Sequence, residues 1–123
     1  MWTARNWMTL AALLGLAAVA GGAFGAHGVA DPKARSWLQT GAEYALAHVL
    51  ATFACAILAQ FGARRVGLAA GFFLAGVVLF TGSLFAMGLG GPRWLGAVTP
   101  IGGLSFMVGW AALAWAARGV RRP

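Results

Sequence analysis

His27 and His48 are the side chains of this sequence whose charge can change near neutral pH, and Asp31, Glu43 and Tyr44 stand close to them along the chain. Such a set could serve three kinds of chemistry. The imidazoles could hydrogen-bond backbone or carboxylate and lock two helices together. They could carry a proton or hold an ion. Joined by Glu43 or Asp31, they could ligate a metal. The spacing is not diagnostic of the third, because no His-x-x-x-His or Cys-x-x-Cys pair occurs, and no metal or cofactor is expected. Tyr44 and His48 are four apart and share a helix face that Cys55 continues, whereas Glu43 points elsewhere.

Nucleophilic catalysis has less support. Ser36, Ser83 and Ser105 lack a Gly-x-Ser-x-Gly context. Cys55 is about 10 Å from His48 along a helix axis, too far for activation. Gly88 to Gly91 is glycine-rich but lacks the Lys-Ser/Thr of a phosphate loop, so it reads as a turn. The expectation is a protein that is not an enzyme.

The groups must be held by apolar runs. Of the 123 residues, 61% are hydrophobic and 9% charged, too much apolar surface for a water-soluble fold to hide. Lipid is the solvent that accepts the excess. The net charge of +7 would point to nucleic acid in a soluble domain. Here the basic residues flank apolar runs and no groove-reading motif occurs, so a nucleic-acid partner is not expected. Cys55 stands alone and reads as a small core residue.

Four runs are long enough to span a bilayer: 7–26, 44–61, 66–87 and 100–117. Ala18-Val19-Ala20 looks like a signal-peptide cleavage site, but the first run continues past it and reads as a span. Small residues recur at three- and four-residue steps. They are Ala11, Gly15, Ala18, Gly22 and Ala26 in the first run, with Gly25 beside them. In the third they are Gly67, Gly71 and Ala75, with Gly82 further on, and in the fourth Gly102, Ser105, Gly109, Ala112 and Ala116. Such stripes let membrane helices approach closely. Between the first two runs, Asp31-Pro32 starts a segment with Lys33, Arg35 and Trp37 that predicts a short interfacial helix. Thr99-Pro100 predicts an N-cap and first helical residue for the fourth run.

The whole reads as one all-α domain over 1–123, a four-transmembrane-helix bundle with that interfacial helix. Arg5, Arg64, Arg65, Arg118, Arg121 and Arg122 fall on one side, and Lys33, Arg35 and Arg93 on the other. The richer side should be cytoplasmic, with both termini. Trp2, Trp7 and Trp115 mark that interface, and Trp37 and Trp94 the opposite one. On this layout His27 closes the first helix, and His48 lies about one turn inside the second from the same end. A polar cluster of His27, Asp31, Glu43, Tyr44 and His48 is then expected beneath the outer surface.

Gly22-Ala23-Phe24-Gly25-Ala26-His27-Gly28, Tyr44 through Ala51, Gly82-Ser83-Leu84-Phe85, and Leu95 through Gly103 on to Gly109-Trp110 together resemble the signatures of the transmembrane protein 256 family. That family is also called domain of unknown function 423 and includes the YgdD-type bacterial inner-membrane proteins. The resemblance covers nearly the whole chain. It implies a small four-helix protein of the bacterial inner membrane with no settled activity, so it carries over no catalytic residues. Ala45 and Leu46 depart from a segment that is more polar in such relatives, which disfavours a wet path along the second helix. The function expected is an accessory or assembly partner of a larger membrane complex, or a homo-oligomer. The alternative is an oligomeric transporter, or a proton- or ion-linked site, built on His27 and His48.

Overall fold

The computed structural model describes residues 3–121, so Trp2 and Arg122 lie outside the described residues. It is all helical: α1 (Ala4–Gly28), α2 (Pro32–Ala59), α3 (Val66–Gly88) and α4 (Thr99–Ala117), the last preceded by a 3-10 turn at Arg93–Ala97. All four are long and apolar enough to cross a membrane.

Each start has a local cause. The Thr3 hydroxyl caps α1 by accepting from the Asn6 N–H. Asp31 caps α2 by accepting from the Ala34 N–H at 3.1 Å, and Pro32 follows with its φ already helical. The Arg35 guanidinium donates twice to the Val29 carbonyl, at 2.8 and 3.1 Å, and fixes the corner between α1 and α2. Between α2 and α3 the chain reverses over a few residues, with Gly62 at φ 85° and Arg65 at φ 63°. Connections this short make successive helices antiparallel neighbours.

The expected interfacial helix is not a separate element. Helical structure runs unbroken from Pro32 to Ala59, so that segment is the first part of α2. No proline or cap follows Asp31-Pro32 to stop it. Gly41, which resembles a breaker, is buried instead, and a β-carbon there would touch the Phe85 ring and Leu84. Thr99 also differs from expectation. The 3-10 turn runs into α4, so the Val98 carbonyl already accepts from Ile101 and Gly102 and no side-chain cap forms. The freed Thr99 hydroxyl bonds Ser83 on α3 at 2.5 Å.

The helices pack in the order α1, α2, α3, α4, with little direct contact between α2 and α4. Only 17% of the apolar stretch of α1 and of α4 is covered by the rest of the chain, against 44% in α2 and 50% in α3, so α2 and α3 form the centre and the others flank it. Small residues set the close approaches, since lipid offers no hydrophobic drive between helices. Gly22 faces Ala42, Gly25 faces Leu38, Gly15 faces Val49, Gly67 lies under the Trp7 ring, Gly102 meets the Phe80 backbone and Gly109 meets the Phe73 ring. Gly71 and Gly82 differ: both are exposed, with nothing within 4 Å of where a β-carbon would stand.

A π-turn at Val77–Thr81 interrupts α3 and shifts the faces that follow it. It brings the Thr81 hydroxyl to the Gly41 carbonyl on α2, a buried bond of 2.7 Å. Thr81→Val keeps the shape and removes that donor. It is expected to lower stability by about 1 kcal/mol, read as a reduced unfolding midpoint in detergent. An unchanged midpoint would show that the bond does not hold α3 to α2.

Candidate functional site

His48 lies deep in α2, about 24 Å along the axis from Pro32 and about 16 Å from Ala59. That is the middle of the span, not one turn from its end, because α2 begins twelve residues earlier than the apolar run at 44 had indicated. The ring is buried, at 6% exposure. The Trp110 indole N–H, on α4, donates to His48 Nε2 at 2.9 Å. An indole can only donate, so Nε2 must accept. The proton then sits on Nδ1, which donates to the Tyr44 carbonyl at 2.6 Å. Only the neutral Nδ1–H tautomer satisfies both bonds, and a ring protonated on both nitrogens could not accept from Trp110.

Aromatic rings fill the surroundings. Phe106 stacks on the imidazole with centroids 3.6 Å apart and planes within 13°. Phe73 and Trp110 close on it at 5.6 and 5.7 Å, and the Tyr44 ring lies parallel at 6.3 Å. These side chains bridge α2 and α4, whose backbones are otherwise apart. His48 is therefore a strut across that gap. A groove of about 590 Å³ opens beside it, lined by Tyr44, Phe80, Leu104, Phe106, Met107 and Trp110 among others. Its walls are mostly apolar, as a lipid-facing cleft requires.

The structure brings Tyr44 and His48 together and leaves the rest of the expected cluster apart. His27 is exposed in the last turn of α1, near the corner where Asp31 caps α2. About 24 Å of helix separates that corner from His48. Glu43 is exposed on another face of α2, and no hydrogen bond or ion pair reaches its carboxylate among the described residues. No three His, Cys, Asp or Glu side chains gather around a common point there either. Cys55 is buried among Ala51, Ala69, Phe73 and their neighbours. Trp110 and Phe106 went unrecognised as partners of His48. Their own four-residue spacing gives them one face, but nothing local ties that face to a histidine 62 residues away.

Four membrane-length helices, joined by short turns and holding one internally satisfied histidine, define a small polytopic α-helical membrane protein seated in a lipid bilayer. Residues 21–103 match the family model described as "Protein of unknown function (DUF423)", and the chain belongs to that family. It is 40% identical over 114 residues to a UPF0382 membrane protein of Haemophilus influenzae, covering 90% of this chain and 92% of the relative. It is 39% identical over 118 residues to the UPF0382 inner membrane protein YgdD of Escherichia coli K12, covering 90% and 88%. It is equally 39% identical over 118 residues to the UPF0382 membrane protein YwdK of Bacillus subtilis, covering 92% and 96%. No solved structure matches. The matched stretch takes in His27 and His48 and stops short of Trp110.

Proposed function

We propose that this chain is a non-enzymatic component of a membrane assembly, seated in the bacterial inner membrane with both termini cytoplasmic. The placement is supported by the E. coli relative, which is named as an inner membrane protein. The orientation is supported by charge. Among the described residues, Arg5, Arg64, Arg65, Arg118 and Arg121 lie at one end, against Lys33, Arg35 and Arg93 at the other.

The observation that carries the assembly reading is the outer face of α3. Leu68, Gly71, Ala75 and Val78 lie along it and Gly82 follows beyond the π-turn, all exposed, with open space over both glycines. Every other small-residue seam named above receives a neighbour from within the chain. This one has the shape that helix association in lipid uses, and no helix among the described residues fills it. The carboxylate of Glu43, which no group among the described residues pairs, adds support, since ionisable groups at membrane depth are costly alone and are usually paired. His48, whose two ring nitrogens are both engaged, offers no free chemistry of its own.

Gly71→Leu combined with Gly82→Leu tests the reading. Purified in mild detergent, the native chain is expected to co-migrate with a partner or a second copy. The double variant should migrate alone with its unfolding midpoint unchanged, because neither side chain meets a neighbour within the chain. Identical migration of the two forms would overturn the assignment of this face. The second reading, transport or proton linkage at His27 and His48, draws on the groove that reaches His48 from the lipid side. A cysteine placed at Gly103 would discriminate: labelling by a membrane-impermeant thiol reagent favours a water path, and no labelling favours the assembly reading.

A further inference from the structure

The end of the molecule where α2 turns into α3 and α4 finishes holds a cleft of about 580 Å³ that the site at His48 does not use. Four guanidinium-bearing residues line it: Arg64 and Arg65 from the turn, Arg118 and Arg121 from the segment after α4. The volume is within the range of about 300–1,000 Å³ typical of small-ligand sites. All four arginines are exposed, and no aspartate or glutamate is near, since Asp31 caps the opposite end of α2 and Glu43 lies in the half of α2 next to that cap. Helix ends do not neutralise them. The starts of α1 and α3 and the finishes of α2 and α4 share this end, so their partial charges offset one another.

Flanking charge alone asks only that arginines be somewhere beyond the spans. Here the fold gathers them. The Arg121 N–H donates to the Phe61 carbonyl at 2.7 Å and pins the segment after α4 onto the turn. Arg65 occupies the left-handed region at φ 63°, which a side chain with a β-carbon adopts at a cost, and it does so as the residue that starts α3. The Arg118 guanidinium lies over the Trp115 ring, 4.8 Å from its centroid. Like charges are thus held around one cavity, which favours an anion with several oxygens.

We infer that this cleft binds the phosphate headgroup of an anionic phospholipid. Guanidinium forks match phosphate oxygens in pairs. The cleft also carries an apolar flank: Trp115 and Val120 are exposed beside the arginines, at the level where the spans end. A headgroup seated among the arginines would leave its acyl chains against the lipid-facing side of the bundle, whereas a free phosphate has no use for that flank. Basic cleft, aromatic edge and membrane boundary together specify lipid.

The test is native mass spectrometry of the whole chain, delipidated and then titrated in mixed micelles with phosphatidylglycerol or phosphatidylcholine. Phosphatidylglycerol is expected to be retained and phosphatidylcholine to be lost. Arg64→Gln with Arg118→Gln should reduce phosphatidylglycerol retention about tenfold or more, while Arg93→Gln at the opposite end should not. Arg118→Lys with Arg121→Lys keeps the charge and the membrane orientation and should still weaken retention, because the paired geometry is lost. Equal retention by the cleft variants and Arg93→Gln would overturn the site, as would equal binding of both lipids. Displacement of the lipid by millimolar inorganic phosphate would overturn its assignment to a lipid in favour of a soluble anion.

Discussion

Gly102→Ala is expected to lower the stability of the bundle by about 1–3 kcal/mol, and Gly102→Leu to prevent α4 from docking at all. Gly102 is buried where α4 crosses α3. A β-carbon there would overlap the Phe80 backbone nitrogen and stand 2.8 Å from its Cα. A side chain can rotate away from such a contact, but a helix backbone cannot. The helices would have to separate, and with them the Ser105 hydroxyl, which donates to the Phe72 carbonyl at 2.8 Å, and the Ser83–Thr99 pair. Unfolding followed by circular dichroism in detergent reads the loss. Gly82→Ala is the matched control, because nothing lies within 4 Å of its new methyl. Equal midpoints for Gly102→Ala and Gly82→Ala would mean that α3 and α4 do not cross at these residues.

The second large effect is at His48. His48→Leu leaves the Trp110 N–H with no acceptor and removes the ring stacked on Phe106. Hydrogen bonds between membrane helices are worth about 0.6 kcal/mol on average and up to about 1.7, and a stacked pair adds about 0.5–1.5. A loss of about 1–3 kcal/mol is expected. Trp110→Phe should lose part of the same energy, and the double variant less than the sum of the two singles. That non-additivity is the signature of a direct contact. Additive losses would place the two residues in independent surroundings. A histidine kept for transport chemistry would cost little stability when replaced. One kept as a strut costs the bundle its heat resistance.

Much of the architecture was legible in the chain. The apolar runs place α1, α3 and α4 within a few residues, because about 20 apolar residues have no other comfortable solvent than lipid. Gly22, Gly25, Gly67, Gly102 and Gly109 mark real close approaches. Three features were hidden. The polar composition of Lys33 to Gly41 suggested a separate helix, although only Asp31-Pro32 carries a start signal and nothing after it carries a stop. Gly41 inside that stretch records the press of Phe85 rather than a break. The π-turn at Val77–Thr81 has no local spelling, since it arises where α3 meets both neighbours.

The candidate site was legible only in half. The spacing of Tyr44 and His48 declared their common face, and the stack is there. The depth of His48 followed from where α2 starts, so the misplaced start put the histidine one turn from the end of the span instead of in its middle. Its true partner, Trp110, is recognisable only once α4 is folded back across α3. Sequence periodicity describes one helix at a time, whereas the bond that defines this site joins two that barely touch by backbone.

Nitrogen-15 NMR of the chain with labelled histidine and tryptophan, in detergent or lipid, addresses the strut directly. The geometry requires the His48 ring to show a protonated Nδ1 and a bare Nε2, with a scalar coupling from the Trp110 indole nitrogen across the hydrogen bond. An Nε2–H tautomer, an imidazolium, or an indole signal uncoupled from the ring would contradict a histidine built to tie α2 to α4.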